Sequence, residues 1–332
     1  MLRVLSVLLV ATTLNFLTSC LWEGDNEECG FYLKFIYDYN MEYADAFDPL
    51  VPTVDVFVFD ESGRYLFSDH ASREQLENGN RMKLGEGLKY GTYKILTVGG
   101  LSDSFSLTDG NGESLRQGIS RIEDVRLSLI HNSDVSFEFP PVWFGRTVTI
   151  DYRDNEDTEN VYLVKQTNMF NLMLVRQDDA DDDTRDKSVY QYTFEITTPE
   201  NAAYDYEDRP LLRQELRYKP FSLTHENDTD IFSVGHINTC RLFYNDEYRL
   251  VVSNKNTLKT LWECDLMPLL EKTKPNRKPD NTTLAMQEYL DRQSSWNVVV
   301  LHKGGSEDDY DAFMAMKVIV NDWIVWERDV DL

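Results

Sequence analysis

The sequence predicts an all-β fold, two β-sandwich domains in tandem with short helical excursions. Three observations carry that expectation. Aromatic residues make up 12% of the chain, with 18 Tyr and 17 Phe, and such side chains favour the half-buried pleat of a strand over a helix. Short segments of alternating or wholly apolar residues recur along the chain, while helix signals are sparse. A length of 332 residues exceeds what one hydrophobic core usually supports, so the chain is expected to divide.

The first twenty residues read as a secretory signal. Met1 to Arg3 supply a positive start, Val4 to Phe16 is mostly apolar, and Leu17-Thr18-Ser19-Cys20 closes the segment with small residues before a cysteine. The apolar run is shorter than the roughly 20 residues a spanning helix needs. Leu17 to Cys20 resembles the bacterial lipobox, in which the signal is cut before the cysteine and the thiol is acylated; Cys20 is therefore the expected lipid attachment site. Each buried CH₂ of such chains contributes about 0.8 kcal/mol, and more than one chain is enough for stable anchoring. Residues 21–28, Leu21-Trp22-Glu23-Gly24-Asp25-Asn26-Glu27-Glu28, are acidic and lack any period, as a solvated tether does. Acidic residues at this place also resemble the surface-export signal of Bacteroidales lipoproteins, which implies an outward-facing outer-membrane protein.

Strand signals then follow in order. Tyr32 to Tyr39, Val54 to Phe59, Thr92 to Val98, Thr147 to Tyr152 and Val161 to Lys165 are candidates in the first half. Asp60-Glu61-Ser62-Gly63, before Tyr65-Leu66-Phe67, reads as a hairpin turn rather than a catalytic cluster. Val135 to Phe139 alternates and is stopped by Pro140-Pro141. In the second half Phe170 to Val175 is apolar on both faces, and Tyr192 to Thr197 alternates as a half-buried strand does. Arg249 to Ser253 and Asn297 to Leu301 complete the set. Met314 to Val320 and Trp323 to Arg328 flank Asn321-Asp322, a two-residue hairpin signal. Thr283 is the expected cap of a helix over Leu284 to Arg292, and Leu266 to Lys272 predicts a turn or two more. The polar stretch Asp151 to Asn160 predicts a domain boundary near 157, with one sandwich over 29–157 and the other over 158–332.

Charge and motif content exclude several classes of function. Lys plus Arg total 33 against 58 Asp plus Glu, a net charge of −25, which argues against nucleic acid as a partner because a phosphate backbone requires a basic face. The same charge repels an anionic bilayer, so attachment falls to the lipid. There is no GxSxG, HExxH, P-loop or dinucleotide fingerprint, and neither an enzyme nor a cofactor is predicted. The five His lie apart and the cysteines form no CxxC pair, so no metal site is expected. Asp178 to Asp183 reads as an exposed acidic loop, with calcium as the sharper alternative but no EF-hand spacing. Of the cysteines at 20, 29, 240 and 264, Cys240 and Cys264 are candidates for a disulfide in an oxidising compartment, and three unpaired thiols are the equal alternative.

Several stretches in order resemble the FimB-like family of fimbrillin-associated anchor proteins of the Bacteroidales. They are Leu17 to Cys20; Phe35-Ile36-Tyr37-Asp38-Tyr39-Asn40-Met41 with Ala44-Asp45-Ala46-Phe47; Val54-Asp55-Val56-Phe57-Val58-Phe59-Asp60 with Gly63; Gln287-Glu288-Tyr289-Leu290-Asp291-Arg292-Gln293; and Ile319-Val320-Asn321-Asp322-Trp323-Ile324-Val325. The resemblance implies two transthyretin-like sandwiches and a lipoprotein that fixes a type V fimbria to the outer membrane and terminates it. It also implies a fimbrial shaft pilin as partner, held by strand addition. Trp323, Ile324, Val325 and Trp326 are the partner-strand candidates; the plainer reading is that their hairpin only completes the second sandwich. The rival class is a surface glycan-binding lipoprotein that stacks Trp and Tyr on sugars.

Overall fold

A computed structural model describes residues 30–76, 79–85, 88–131, 134–153, 156–177, 191–199, 202–211, 215–226, 232–304 and 313–328. The signal, the tether, Cys20, Cys29 and the acidic run at 178–183 lie outside the described residues. The first half carries β1 (Gly30–Ile36), α1 (Phe47–Leu50), β2 (Thr53–Asp60), β3 (Tyr65–Ser72), β4 (Arg81–Lys83), β5 (Gly91–Gly99), β6 (Phe105–Thr108), β7 (Arg126–Leu129), β8 (Asp134–Val135), β9 (Trp143–Tyr152) and β10 (Glu156–Lys165). The second carries β11 (Thr167–Arg176), β12 (Tyr192–Pro199), β13 (Ala203–Asp205), β14 (Glu215–Tyr218), β15 (Ser222–Glu226), β16 (Phe232–Cys240), β17 (Arg249–Asn254) and β18 (Thr260–Asp265). It ends with α2 (Met267–Glu271), α3 (Met286–Arg292), β19 (Ser295–Gly304), β20 (Phe313–Val320) and β21 (Trp323–Glu327).

The fold is all-β, as expected. A seven-stranded sheet runs β3-β2-β5-β9-β10-β1-β4. Alternation along β2 sends Val54, Val56 and Val58 into a core with Leu33 and Phe35 of β1 and Phe47 of α1. A six-stranded sheet, β15-β16-β11-β19-β20-β21, faces a five-stranded one, β18-β17-β12-β14-β8. Phe170, Leu172 and Leu174 of β11 share one core with Tyr192, Phe194 and Ile196 of β12. β11 is central and pairs parallel with β19 and antiparallel with β16, so its sequence from Phe170 to Val175 is apolar on both faces except at Asn171.

A strand runs across the boundary expected at 157. β10 begins at Glu156 and lies between β9 and β1 in the seven-stranded sheet, so the chain passes to the second set of strands at Gln166. The acidic stretch hides the strand because Thr158 and Asn160 of β10 are solvent-facing and carry no apolar signal. The halves are also stitched together. β8 joins the five-stranded sheet by pairing with β14, and β13 reaches back to pair with β7 in a three-stranded sheet, β13-β7-β6. One hydrophobic cluster therefore runs from Phe59, Leu96 and Phe144 in the first half to Trp296 and Val318 in the second.

Smaller differences have local causes. Of Val135 to Phe139 only Val135 lies in a strand, because the two prolines that follow hold the segment off a ladder; Phe139 is buried all the same. α3 starts at Met286 with Ala285 at its N-cap and no side-chain cap, rather than at Thr283. No disulfide joins Cys240 and Cys264. Cys240 ends β16 in the six-stranded sheet and Cys264 sits on β18, at the rim of the five-stranded sheet, so they are not on neighbouring strands. Burial and the adjacent Asp265 and Glu263 push the Cys264 thiol up to about 12, which keeps it protonated and unreactive.

Candidate partner-binding edge

The C-terminal hairpin forms where the sequence predicts it. Asn321 and Asp322 both adopt left-handed backbone, φ 45° and 70°, as a two-residue turn with the twist of the flanking strands requires. The turn is pinned to β19: Asn321 donates its backbone N–H to the Asn297 carbonyl at 2.9 Å and accepts the Asn297 N–H on Oδ1 at 2.8 Å. β21 pairs with β20 from Val320↔Trp323 to Lys317↔Glu327 and is the last strand of its sheet, so among the described residues no strand lies on its other side.

That rim is apolar. Trp323 is 64% exposed, Ile324 58% and Trp326 38%, whereas Val325 is buried in the core. Large hydrophobic groups gathered on an unpaired strand are unusual, since natural edges are commonly blunted by charge, bulges or cover. A bulge is present here: the register shifts between Val318 and Ile319, so Val325 has no opposite residue on β20. Its carbonyl accepts a hydrogen bond from Lys272 Nζ at 2.6 Å. Lys317 closes the far end of the hairpin by an ion pair with Glu327 at 2.7 Å.

The register also orders the sheet's other face into rows. Val234, Met173, Val299, Ile319 and Ile324 stand opposite one another across five strands and lead to the exposed rim. Beside them runs a polar row. His236 Nδ1 is 2.8 Å from Asn171 Oδ1, and Asn171 Nδ2 donates to Asn297 Oδ1 at 2.8 Å. The polar row ends at Asn321 of the turn, so a strand added to β21 would extend the apolar one.

Two joints involve the Gln287 to Gln293 segment, and the first of them ties the halves together. Arg292 of α3 lies 4.2 Å over the Tyr39 ring and 4.3 Å over Tyr43, and donates to the carbonyls of Asp38 at 2.8 Å and Asn40 at 3.1 Å. Glu288 accepts from its Nε at 3.0 Å. The second joint is buried. Arg241 forks onto Asp291 at 2.7 and 2.8 Å and reaches Asp208 with Nη1, while Gln287 donates to Asp291 at 2.7 Å. Asp291 thus has three donors, but Asp208 Oδ1 has no partner among the described residues. The two carboxylates hold Arg241 charged against its burial, so the proton that burial favours goes to Asp208, pushed up to about 6 despite Arg241.

Of the partner-strand candidates, Trp323, Ile324 and Trp326 line the rim and Val325 does not; it anchors the strand. Lys272 was not legible, because an exposed lysine after a short helix carries no signal of what its ammonium will touch. The convergence of the 35–47 and 287–293 segments on Arg292 was equally hidden, though an arginine beside repeated tyrosines is the composition such a joint needs. Among the described residues no group of three or more His, Cys, Asp or Glu could hold a metal ion, and no helix is long and apolar enough to cross a membrane.

Comparison with known proteins agrees with this architecture. A solved structure of a candidate adhesin from Bacteroides ovatus is 37% identical, covers 92% of this chain and 96% of its own, and superposes with a TM-score of 0.81. A candidate polysaccharide-binding protein from Bacteroides thetaiotaomicron is 26% identical over 91% of this chain and 99% of its own, TM-score 0.73. The fimbrial anchor protein Mfa2 from Porphyromonas gingivalis, 15% identical over 90% of this chain and 99% of its own, shares the fold with a TM-score of 0.64. No curated protein matches the sequence. The model of the fimbrillin-A associated anchor proteins Mfa1 and Mfa2 matches residues 25–329. The chain belongs to that family, a family of structural fimbrial anchors at the cell surface rather than of enzymes.

Proposed function

We propose that this chain is an outer-membrane lipoprotein, held by acyl chains on Cys20, that moors a fimbria to the cell surface and terminates the fibre through β-strand contact with the last shaft subunit. The observation that carries the reading is the unpaired β21 rim with Trp323, Ile324 and Trp326 exposed. A strand laid beside β21 gains backbone hydrogen bonds and covers two indoles and an isoleucine, each contributing about 25 cal/mol per Å² of apolar surface buried. Cys20 supplies the other end of the linkage, since a signal closed by Leu-Thr-Ser-Cys precedes an acidic tether. The partner is then moored wherever the lipid is.

Two strains test the two ends. Cys20→Ala is expected to release folded protein, with its fibres, into the medium, and fatty acid found elsewhere on the mature chain refutes the anchor. Trp323→Ser with Ile324→Lys and Trp326→Ser is expected to leave folded, lipidated protein in the membrane while fibres are shed; retained fibres refute the docking edge. Glycan capture is a second reading, favoured by the two exposed indoles and by the resemblance to the candidate polysaccharide-binding protein. It predicts that the purified chain binds surface polysaccharide and that Ile324→Lys alone leaves this binding intact.

A further inference from the structure

We infer that Lys272 guards the β21 edge: its ammonium occupies the backbone acceptor at the bulge, so that two copies of this chain do not pair edge to edge and an arriving strand must displace it. This deepens the reading of β21 as a docking edge, and its first half stands without it.

The geometry is specific. Lys272 follows α2, whose Met267, Leu269 and Leu270 are buried in the shared core. The next residue, Thr273, is also buried and is tied to Leu270 O and to the Tyr289 hydroxyl, each at 2.7 Å. The backbone at 272 is therefore fixed, and the side chain crosses from it to Val325 O at 2.6 Å. Val325 is the residue that the bulge leaves without an opposite on β20, while its side chain stays in the core. Its carbonyl is thus taken by a cation rather than by a strand. Bulges and edge lysines are both known means of keeping sheet rims apart. Here they coincide on one residue, between Ile324 and Trp326, where an exposed apolar rim makes self-pairing most costly to a surface protein. Lysine suits a removable guard: its ammonium is strongly hydrated and returns to water when displaced.

The test uses the lipid-free chain, Cys20→Ala, in sedimentation velocity over a concentration series. Lys272→Met keeps the stem and removes the charge; it is expected to self-associate roughly ten- to a hundredfold more tightly, the loss of one charged hydrogen bond as a barrier. Lys272→Arg is expected to stay monomeric, and Ile324→Pro added to Lys272→Met to restore the monomer, because proline on the rim removes a donor. A Lys272→Met chain that stays monomeric, whether or not its melting point falls, overturns the guard and leaves a structural tie. Association that survives Ile324→Pro also overturns it, because another surface is then responsible. The same samples titrated with purified shaft subunit separate the two readings. Self-pairing of Lys272→Met without shaft binding by either chain keeps the guard and ends the docking edge. Shaft binding by the unmodified Lys272 chain without self-pairing of the variant does the reverse.

Discussion

Two hairpins end on the rim of a sheet, β2–β3 in the seven-stranded sheet and β20–β21 in the six-stranded one. At the first, Asp60 organises the turn: Oδ1 accepts the Arg64 N–H at 2.9 Å and the Ser62 hydroxyl at 2.7 Å, and Gly63 takes φ 84°. The start of β3 is then covered by a neighbouring segment. Tyr65 N–H donates to Ser120 O at 2.9 Å, Gly118 N–H to Tyr65 O at 2.8 Å, and Ile122 N–H to Gly63 O at 2.9 Å. At the second hairpin Lys272 reaches the rim, and among the described residues nothing covers the exposed indoles of Trp323 and Trp326. The same motif is closed by protein in one place and left open in the other. An edge that the fold could cover and does not is where a partner is expected.

The comparison can be broken most severely at the buried joint. β13, which lies beside β7, is followed by the turn holding Asp208, so Arg241→Met should loosen the layer over the first hairpin while stranding two buried carboxylates. The expected cost is about 3–5 kcal/mol in denaturant unfolding, with faster hydrogen exchange at Tyr65 and no change at Ile324. Gly63→Val comes next. Its φ of 84° is strained for a branched residue, and a Cβ there would sit 3.0 Å from Glu123 Oε1 and 3.1 Å from Ile122 Cγ2. A loss of about 1–3 kcal/mol is expected, against less than about 1 kcal/mol for Asn321→Gly in the open hairpin, where glycine suits the left-handed turn.

A pH series sharpens the same contrast. Burial raises the Asp208 pKa to about 6, so the stability it lends is complete below the ordinary carboxylate pKa and is lost as pH rises through about 6. Relative to Asp208→Asn, the parent chain should weaken between about pH 4 and pH 7, and the difference should flatten above. Melting curves of the pair show it, and an opposite slope would mean that Arg241 dominates over burial. The smallest effect is expected at the open rim: Trp323→Ser should change unfolding free energy by less than about 0.5 kcal/mol. A loss several times larger would show that the rim is part of the core after all.

Much of this was readable from the sequence where one local rule decides. Tyr192 to Thr197 alternates because one face of β12 is dry, and Asn321-Asp322 makes a two-residue turn because both tolerate left-handed backbone. What could not be read depends on contacts between distant segments. β8 has two residues and β13 three, too short for any period, yet they stitch the halves together. The first half of β10, Glu156 to Asn160, looked like a linker because its pairing, not its side chains, makes it a strand. Of the site, the exposed Trp323, Ile324 and Trp326 were visible as apolar residues on both faces of a terminal strand. The bulge and the ammonium at Val325 were not, since neither has a residue pattern.

The way the chain enters the fold has a mechanical consequence. β1 lies inside its sheet and runs parallel to β10 over seven residue pairs, from Gly30↔Glu156 to Ile36↔Tyr162. Tension applied ahead of Gly30 acts along those strands, so the whole ladder is sheared at once instead of unzipping rung by rung. A drag force arriving from the opposite terminus would thus meet its stiffest resistance at the root.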